Sequence, residues 1–292
     1  MNPISIIERC VKELKKYSEI KAVVLGGSYA TKTSRPDSDI DIGIYYTDKN
    51  PIDMSHIKSA VNNLTNPENA IVSKIGEWGK WMNGGVWMSI DNQRVDFIYR
   101  EIRFVEKTLE DCTNGIIKTD YYQQPAFGFY NFIYCAEIKG CEILCDYSNI
   151  IHKLKQKVIS YPLKLKQSII NHFLWDSQFS FSRAQKSSKR EEIYITGGCL
   201  TRIINDLIQV IYALNETFFF GEKKVYYDMK KFNKKPENFL AEAQNILSSI
   251  GINLASLTTS IDKTEKLIQR VISLSRNWYM PKYTKNLDDI KK

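Results

Sequence analysis

A Gly26-Gly27-Ser28 triplet is followed, eleven and thirteen residues after its serine, by Asp39 and Asp41. These residue types at this spacing can do phosphate and metal chemistry. The triplet closes an apolar run, Ala22 to Leu25, and a polar loop with Pro36 leads into Asp39-Ile40-Asp41-Ile42-Gly43-Ile44. Such alternation predicts a half-buried strand, on which residues i and i+2 share a face. Asp39 and Asp41 then project side by side, about 7 Å apart. Two carboxylates that close repel each other unless a cation lies between them. Hard divalent cations such as Mg²⁺ are often held by one or two carboxylates plus substrate phosphates. Glycines let the backbone approach a ligand closely, and N–H groups at a helix start bind phosphate. Together these features point to a metal-bound nucleoside triphosphate.

The segments Leu25-Gly26-Gly27-Ser28 and Asp39-Ile40-Asp41-Ile42 resemble the signature of the nucleotidyltransferase superfamily that includes DNA polymerase beta. That signature is an apolar strand, a glycine-serine turn, a spacer of about ten residues and Asp-x-Asp between apolar residues. The close resemblance extends over about the first hundred residues. It implies nucleotide contacts from Gly26, Gly27 and Ser28, two Mg²⁺ ions on Asp39 and Asp41, and a third carboxylate on a neighbouring strand.

The chain offers that third carboxylate at Asp96. Gly84-Gly85 precedes Val86 to Ile90, Asp91-Asn92 forms a turn, and Arg94 to Tyr99 follows, so turn chemistry and β-rich flanks predict a hairpin. A carboxylate among Val95, Phe97 and Ile98 is costly unless paired or bound to metal. The resemblance implies that Asp96 joins Asp39 and Asp41 as metal ligand, as general base, or both. On the residues alone, the alternative is an Asp on a solvated face, paired with Arg94 or Arg100.

The elements that must position these groups read as two parts. Helices are predicted at 3–16, 52–63, 68–76, 101–112 and 127–140, a short one from Ser28, strands at 20–25 and 40–46, the hairpin at 86–99, and a short apolar piece from Cys141 to Cys145. From Asn149 onward strand signals vanish, and helices are predicted over 166–184, 192–215, a stretch opened by Pro236, and 253–277. The expected fold is α/β (α+β): a polymerase-beta-like nucleotidyltransferase domain with a mixed sheet over residues 1–148, then an all-helical bundle over 149–292.

Composition suits an intracellular enzyme. The chain has 292 residues, of which 43% are hydrophobic, and no apolar run reaches the ~20 residues of a membrane span. The first helix carries Glu and Lys throughout and lacks the apolar region of a secretory signal. Six cysteines at 10, 112, 135, 141, 145 and 199 show no zinc spacing and read as reduced thiols in a cytoplasmic protein. Three histidines, His56, His152 and His172, make a zinc site or a Ser-His triad a poor reading. The net charge of +8 concentrates in the second half: five lysines between Lys153 and Lys166, then Lys186, Lys189 and Arg190, then Lys223, Lys224, Lys230, Lys231, Lys234 and Lys235. Basic surface favours phosphate-bearing partners.

Two features of the second half extend the candidate site. In the helix from Tyr194 to Asn215, Arg202, Asn205, Asp206 and Gln209 form one narrow polar stripe on an otherwise apolar cylinder. The layout resembles that of antibiotic nucleotidyltransferases acting on aminoglycosides or lincosamides. In those the helical domain closes over the triphosphate and carries acceptor contacts, here Arg202 and Asp206. Lys223 or Lys224, after Gly221, could reach a phosphate as a point charge.

The acceptor is then expected to be a small molecule and the co-substrate an NTP, ATP by preference. A cationic acceptor would call for acids such as Asp206, Glu216, Asp176 and Glu137. The alternative is a toxin or RNA-modifying enzyme that adds nucleotides to a transfer RNA end, favoured by the lysine clusters. No membrane role is expected, and a monomer and a homodimer are both open.

Overall fold

The computed structural model describes residues 2–121 and 128–282. Contacts divide the chain into two units, Met1–Asp111 with Tyr134–Ser160, and Cys112–Ile133 with Tyr161–Lys292. The segment 112–133 therefore goes with the second unit.

Eight strands run through the described residues: β1 (Ala22–Leu25), β2 (Ile40–Tyr46), β3 (Ala70–Val72), β4 (Gly85–Ile90), β5 (Gln93–Glu101), β6 (Thr119–Asp120), β7 (Phe129–Tyr130) and β8 (Glu142–Asp146). Six form one mixed sheet of order β3-β4-β5-β2-β1-β8, and β6 pairs only with β7, in the second unit. Only β2 and β5 run parallel; every other pair is antiparallel. One face of the sheet is the core. Val23, Leu25, Ile40, Ile42, Ile44, Val86, Met88, Ile90, Val95, Phe97 and Tyr99 pack there with Ile6, Cys10 and Leu14 of α1 (Pro3–Leu14) and Ile57, Val61 and Leu64 of α3 (Met54–Leu64). The intervening α2 is the single turn Gly27–Ala30. Period-2 alternation leaves residues 41, 43, 94, 96, 98, 87, 89 and 71 on the other face.

Local chemistry sets the ends of these elements. The Asn2 side chain accepts from the Ile4 N–H at 3.1 Å, with Pro3 opening α1. Asp53 caps α3 through the Ser55 N–H at 2.8 Å. Glu101 accepts from the backbone N–H groups of Arg103 and Phe104 at 2.9 and 2.6 Å and so starts α5 (Ile102–Thr113). The hairpin turn sits at Asp91 and Asn92, both left-handed (φ 51° and 65°), which matches the twist of a two-residue connection. The short α4 (Gly79–Met82), α6 (Ile133–Gly140) and α7 (Ile150–Lys157) complete the first unit. Buried Asp146 holds α7 by accepting from Ile150 and Ile151 at 2.8 and 2.9 Å.

Two expected helices are corrected. Residues 68–76 form not a helix but a 3₁₀ turn at Pro67–Asn69 and then β3, because Ile71 and Val72 find partners in Trp87 and Val86. The helix expected over 127–140 begins only at Ile133. Phe129 and Tyr130 pair with Asp120 and Thr119, and Asn131 takes the Lys118 N–H and donates to the Ile116 carbonyl, both at 2.9 Å. Residue 127 lies outside the described residues.

The second unit is helical apart from β6 and β7: α8 (Leu163–Ser188), α9 (Ile193–Leu214), α10 (Val225–Lys231), α11 (Phe239–Ser248) and α12 (Leu254–Ser275). The α8–α9 hairpin is its spine. Buried Ser177, Ser180, Ser187 and Ser188 let the two helices approach, and Ser187 and Thr196 share a hydroxyl–hydroxyl bond of 2.7 Å. Lys166, only 2% exposed, satisfies its charge with Glu216 at 2.7 Å and the Trp278 ring at 4.2 Å. Among the described residues no helix is long and apolar enough to cross a membrane.

Candidate active site

The site begins where β1 turns into α2. The Gly26 N–H donates to the Asp41 carbonyl at 2.8 Å, so the turn sits directly on β2. Gly27 is left-handed (φ +56°), and a Cβ there would lie 1.7 Å from Asp41 Oδ2. No other residue fits: the backbone angle favours glycine and the space is already filled by the carboxylate. Ser28 follows in the first turn of α2. The loop behind it is tied down by Thr31, whose hydroxyl donates to the Gly27 carbonyl at 3.0 Å, and by the Thr33 N–H on the Ser28 carbonyl at 2.9 Å.

The carboxylates come from the parallel pair. Asp41 lies opposite Asp96 in the β2–β5 register, so the two side chains leave the same face of neighbouring strands about 4.8 Å apart. Both are half-buried. Asp39 stands just before β2. Its Oδ1 lies 2.7 Å from Arg94 Nε, yet the same buried oxygen makes no hydrogen bond. The contact is therefore an ion pair with the N–H out of line. Among the described residues no group of three or more Asp, Glu, His or Cys is gathered closely enough to hold a metal. Asp41 and Asp96 are thus brought side by side, while Asp39 is drawn to Arg94. Arg100, the other arginine near Asp96 in sequence, is engaged elsewhere: 5% exposed, it forks onto Glu137 at 3.0–3.2 Å and lies 5.0 Å from the Tyr134 ring.

Residues 8–75 match the model of the family "Polymerase beta, Nucleotidyltransferase". The chain contains a nucleotidyltransferase domain. The matched stretch includes Gly26, Gly27, Ser28, Asp39 and Asp41 and ends before Asp96, which the β2–β5 register brings to the same face. Domains of this family act on nucleoside triphosphates with a divalent metal. The chain is also similar to a solved nucleotidyltransferase-like protein from Exiguobacterium sibiricum 255-15, at 10% identity and a TM-score of 0.48, over 93% of this chain and 77% of that one. That likeness is too loose to say anything of chemistry. No curated protein matches the chain.

The remaining candidate residues belong to the helical unit. Arg202 does not pair along its own helix with Asp206. Its Nε and Nη2 both donate to Asp176 Oδ2 on α8, at 2.8 and 2.7 Å. Asp206 is 2% exposed and its Oδ2 has no hydrogen-bond partner. Burial, aided by the nearby Asp176 charge and opposed by Arg202, pushes its carboxyl up to about 9, so it is protonated at neutral pH. Asn205 donates to the Tyr130 hydroxyl at 2.6 Å. The stripe is a polar seam, buried at Asp206 and Gln209 and exposed at Arg202, not an acidic surface. Lys224 lies 4.7 Å from the Phe220 ring, and burial lowers its ammonium below the usual lysine range; Lys223 is exposed.

The sequence names Arg94 only as a possible partner of Asp96 and gives Trp87 no role. Arg94 and Trp87 both follow from counting across the hairpin: a turn at 91–92 sets residue 87 opposite 96, with 94 two residues from 96 on the same face. Trp87 is 49% exposed and stacks on buried Trp78, ring centroids 4.4 Å apart and 21° between planes.

Proposed function

We propose that this nucleotidyltransferase moves a nucleoside monophosphate, AMP by preference, from an NTP to a hydroxyl of a small molecule and releases pyrophosphate. The observation that carries the reading is the Asp41–Asp96 register pair beneath a glycine turn that has no room for a Cβ. Adjacent hard oxygen donors fit Mg²⁺, and Asp39 completes the set once the Arg94 contact gives way to a divalent ion. Two such ions, when bound, would neutralise phosphate charge and lower the pKa of the acceptor hydroxyl. Gly26 and Gly27 present backbone, and Ser28 a hydroxyl, to the terminal phosphates. Asp96 accepts the proton of the acceptor hydroxyl. The acceptor's oxygen then bonds to the α-phosphorus as the bond to pyrophosphate breaks, so the chain contributes mainly positioning and charge compensation.

On the acceptor side, Arg202 and Asp206 are assigned as contacts, Asp206 through a hydrogen bond because its carboxyl is neutral. Lys223 and Lys224 are assigned to the triphosphate. The acids that would draw a polycation are already occupied: Glu137 by Arg100, Glu216 by Lys166, Asp176 by Arg202. That favours an acceptor with few positive charges, closer to a lincosamide than to an aminoglycoside, and a role in antibiotic resistance. Six free cysteines suit the reducing cytoplasm.

A second reading, nucleotide addition to a transfer RNA end, is favoured by the exposed lysines 223, 230, 231 and 234. Incubating the protein and Mg²⁺ with each labelled NTP against lincosamides, aminoglycosides and total transfer RNA tests both. Label on a small molecule is expected; label on RNA alone would replace the first reading with the second, and label on neither would refute both.

A further inference from the structure

The order of strands gives the carboxylate face a direction. From β1 to β3 it runs glycine turn, Asp41, Asp96, Trp87, Ile71, since Asp41 faces Asp96, Asp96 faces Trp87 and Trp87 faces Ile71. If the triphosphate takes the glycine end, the group attacking it must arrive past Asp96, from the β4–β3 side. There the face is apolar and open: Trp87 is 49% and Ile71 63% exposed.

The indole is not loose. Trp78, itself buried, lies flat against it, and Trp78 is seated over Gly85, where a Cβ would come 2.7 Å from its ring. Gly85 and Trp87 are two residues apart on β4 and share the face. Half-buried Ser89 and exposed Arg94, paired across the hairpin, border the indole with polar groups. A rigid aromatic shelf left half in water, with a carboxylate at one edge and hydrogen-bonding groups at another, is an uncommon use of tryptophan unless a ring is to be laid on it.

We propose that Trp87, braced by Trp78, is the platform on which the acceptor's pyranose ring rests with a hydroxyl directed at Asp96. A pyranose has an apolar C–H face for the indole and a rim of hydroxyls for Asp96, Ser89 and Arg94. This rests on the nucleotidyl-transfer reading, to which it adds a substrate class and a specificity-determining residue.

The test is tryptophan fluorescence of the full chain titrated with lincomycin, kanamycin, methyl α-D-glucopyranoside and adenosine, in wild type, Trp87→Ala and Trp87→Phe. A saturable change with at least one sugar-bearing probe is expected, its dissociation constant rising about 3- to 10-fold in Trp87→Ala and within about twofold of wild type in Trp87→Phe. Circular dichroism should show both variants folded, Trp87→Ala melting somewhat lower than Trp87→Phe because it loses the stack on Trp78. No saturable response to any sugar, a response to adenosine alone, or unchanged affinity in Trp87→Ala overturns the proposal. Asp41→Asn separates it from the reading beneath it: that variant should keep the sugar response while losing nucleotidyl transfer. A variant that transfers normally would sink the catalytic assignment but leave the platform standing.

Discussion

Gly27 is held by two constraints at once, a left-handed backbone and a carboxylate 1.7 Å from where a Cβ would go. Gly27→Ala must displace Asp41 or the turn, and displacements of about 1 Å at a reacting centre can cost roughly 10²-fold. We expect nucleotidyl transfer to fall by about that factor while circular dichroism is unchanged; near-normal turnover would remove the turn from the site. Asp206 makes a separate prediction. Its carboxyl is raised from 3.8 to about 9 in the folded chain, so the folded state holds a proton that the unfolded state releases. The resulting stability is fully present below about pH 4 and is lost as pH rises toward about 9. Asp206→Asn should flatten that decline. Melting temperatures measured from acid to alkaline pH would show it, and parallel curves for the two proteins would count against a protonated Asp206. Residue types at the catalytic end were legible because Gly-Gly-Ser and Asp-x-Asp declare themselves by spacing. The partners of Arg202 and Asp39 were not, because Asp176 and Arg94 come from other elements.

At the scale of elements, the β4–β5 hairpin fixes the site. Its two-residue turn sets Asp96 opposite Trp87 and, through β5, opposite Asp41. Asn92 sits at φ 65°, a position where glycine is at no disadvantage and a β-branched residue is strained. Asn92→Gly should be neutral or stabilising by up to about 1 kcal/mol, and Asn92→Val should destabilise by about 1–2 kcal/mol. Urea melts would decide, and a Val variant as stable as wild type would contradict the turn assignment. The hairpin could be read from Asp91-Asn92 between β-rich flanks, and the helices of the second unit from apolar periodicity. Strand β3 could not. Ala70–Val72 is three residues long and becomes a strand only because β4 offers an edge. Nor could strand order, which places Asp41 beside Asp96, since pairing between distant segments leaves no local trace.

At the scale of the whole molecule, the two units interleave in sequence, and the segment 112–133 joins the helical one. Composition could not show this, since it depends on contacts such as that between Tyr130 and Asn205 of α9. Net charge of +8 bears on the acceptor. A polynucleotide contacting about six lysines would lose roughly 10³ in affinity between 50 and 200 mM salt. For a small acceptor we expect little change, and reversing charge at Lys223, Lys224, Lys230 and Lys231 should leave its KM alone while raising that of the NTP. Steeply salt-dependent binding of transfer RNA, abolished by the same reversal, would instead make RNA the acceptor.

The central claim is that Asp41 and Asp96, side by side under the glycine turn, carry nucleotidyl transfer. Pyrophosphate release from NTP with Mg²⁺ and the accepted small molecule measures it directly in Asp41→Asn and Asp96→Asn. The account predicts a loss of at least about 10²–10³-fold in both, with both variants folded by circular dichroism. Near-wild-type pyrophosphate release from either folded variant would contradict it.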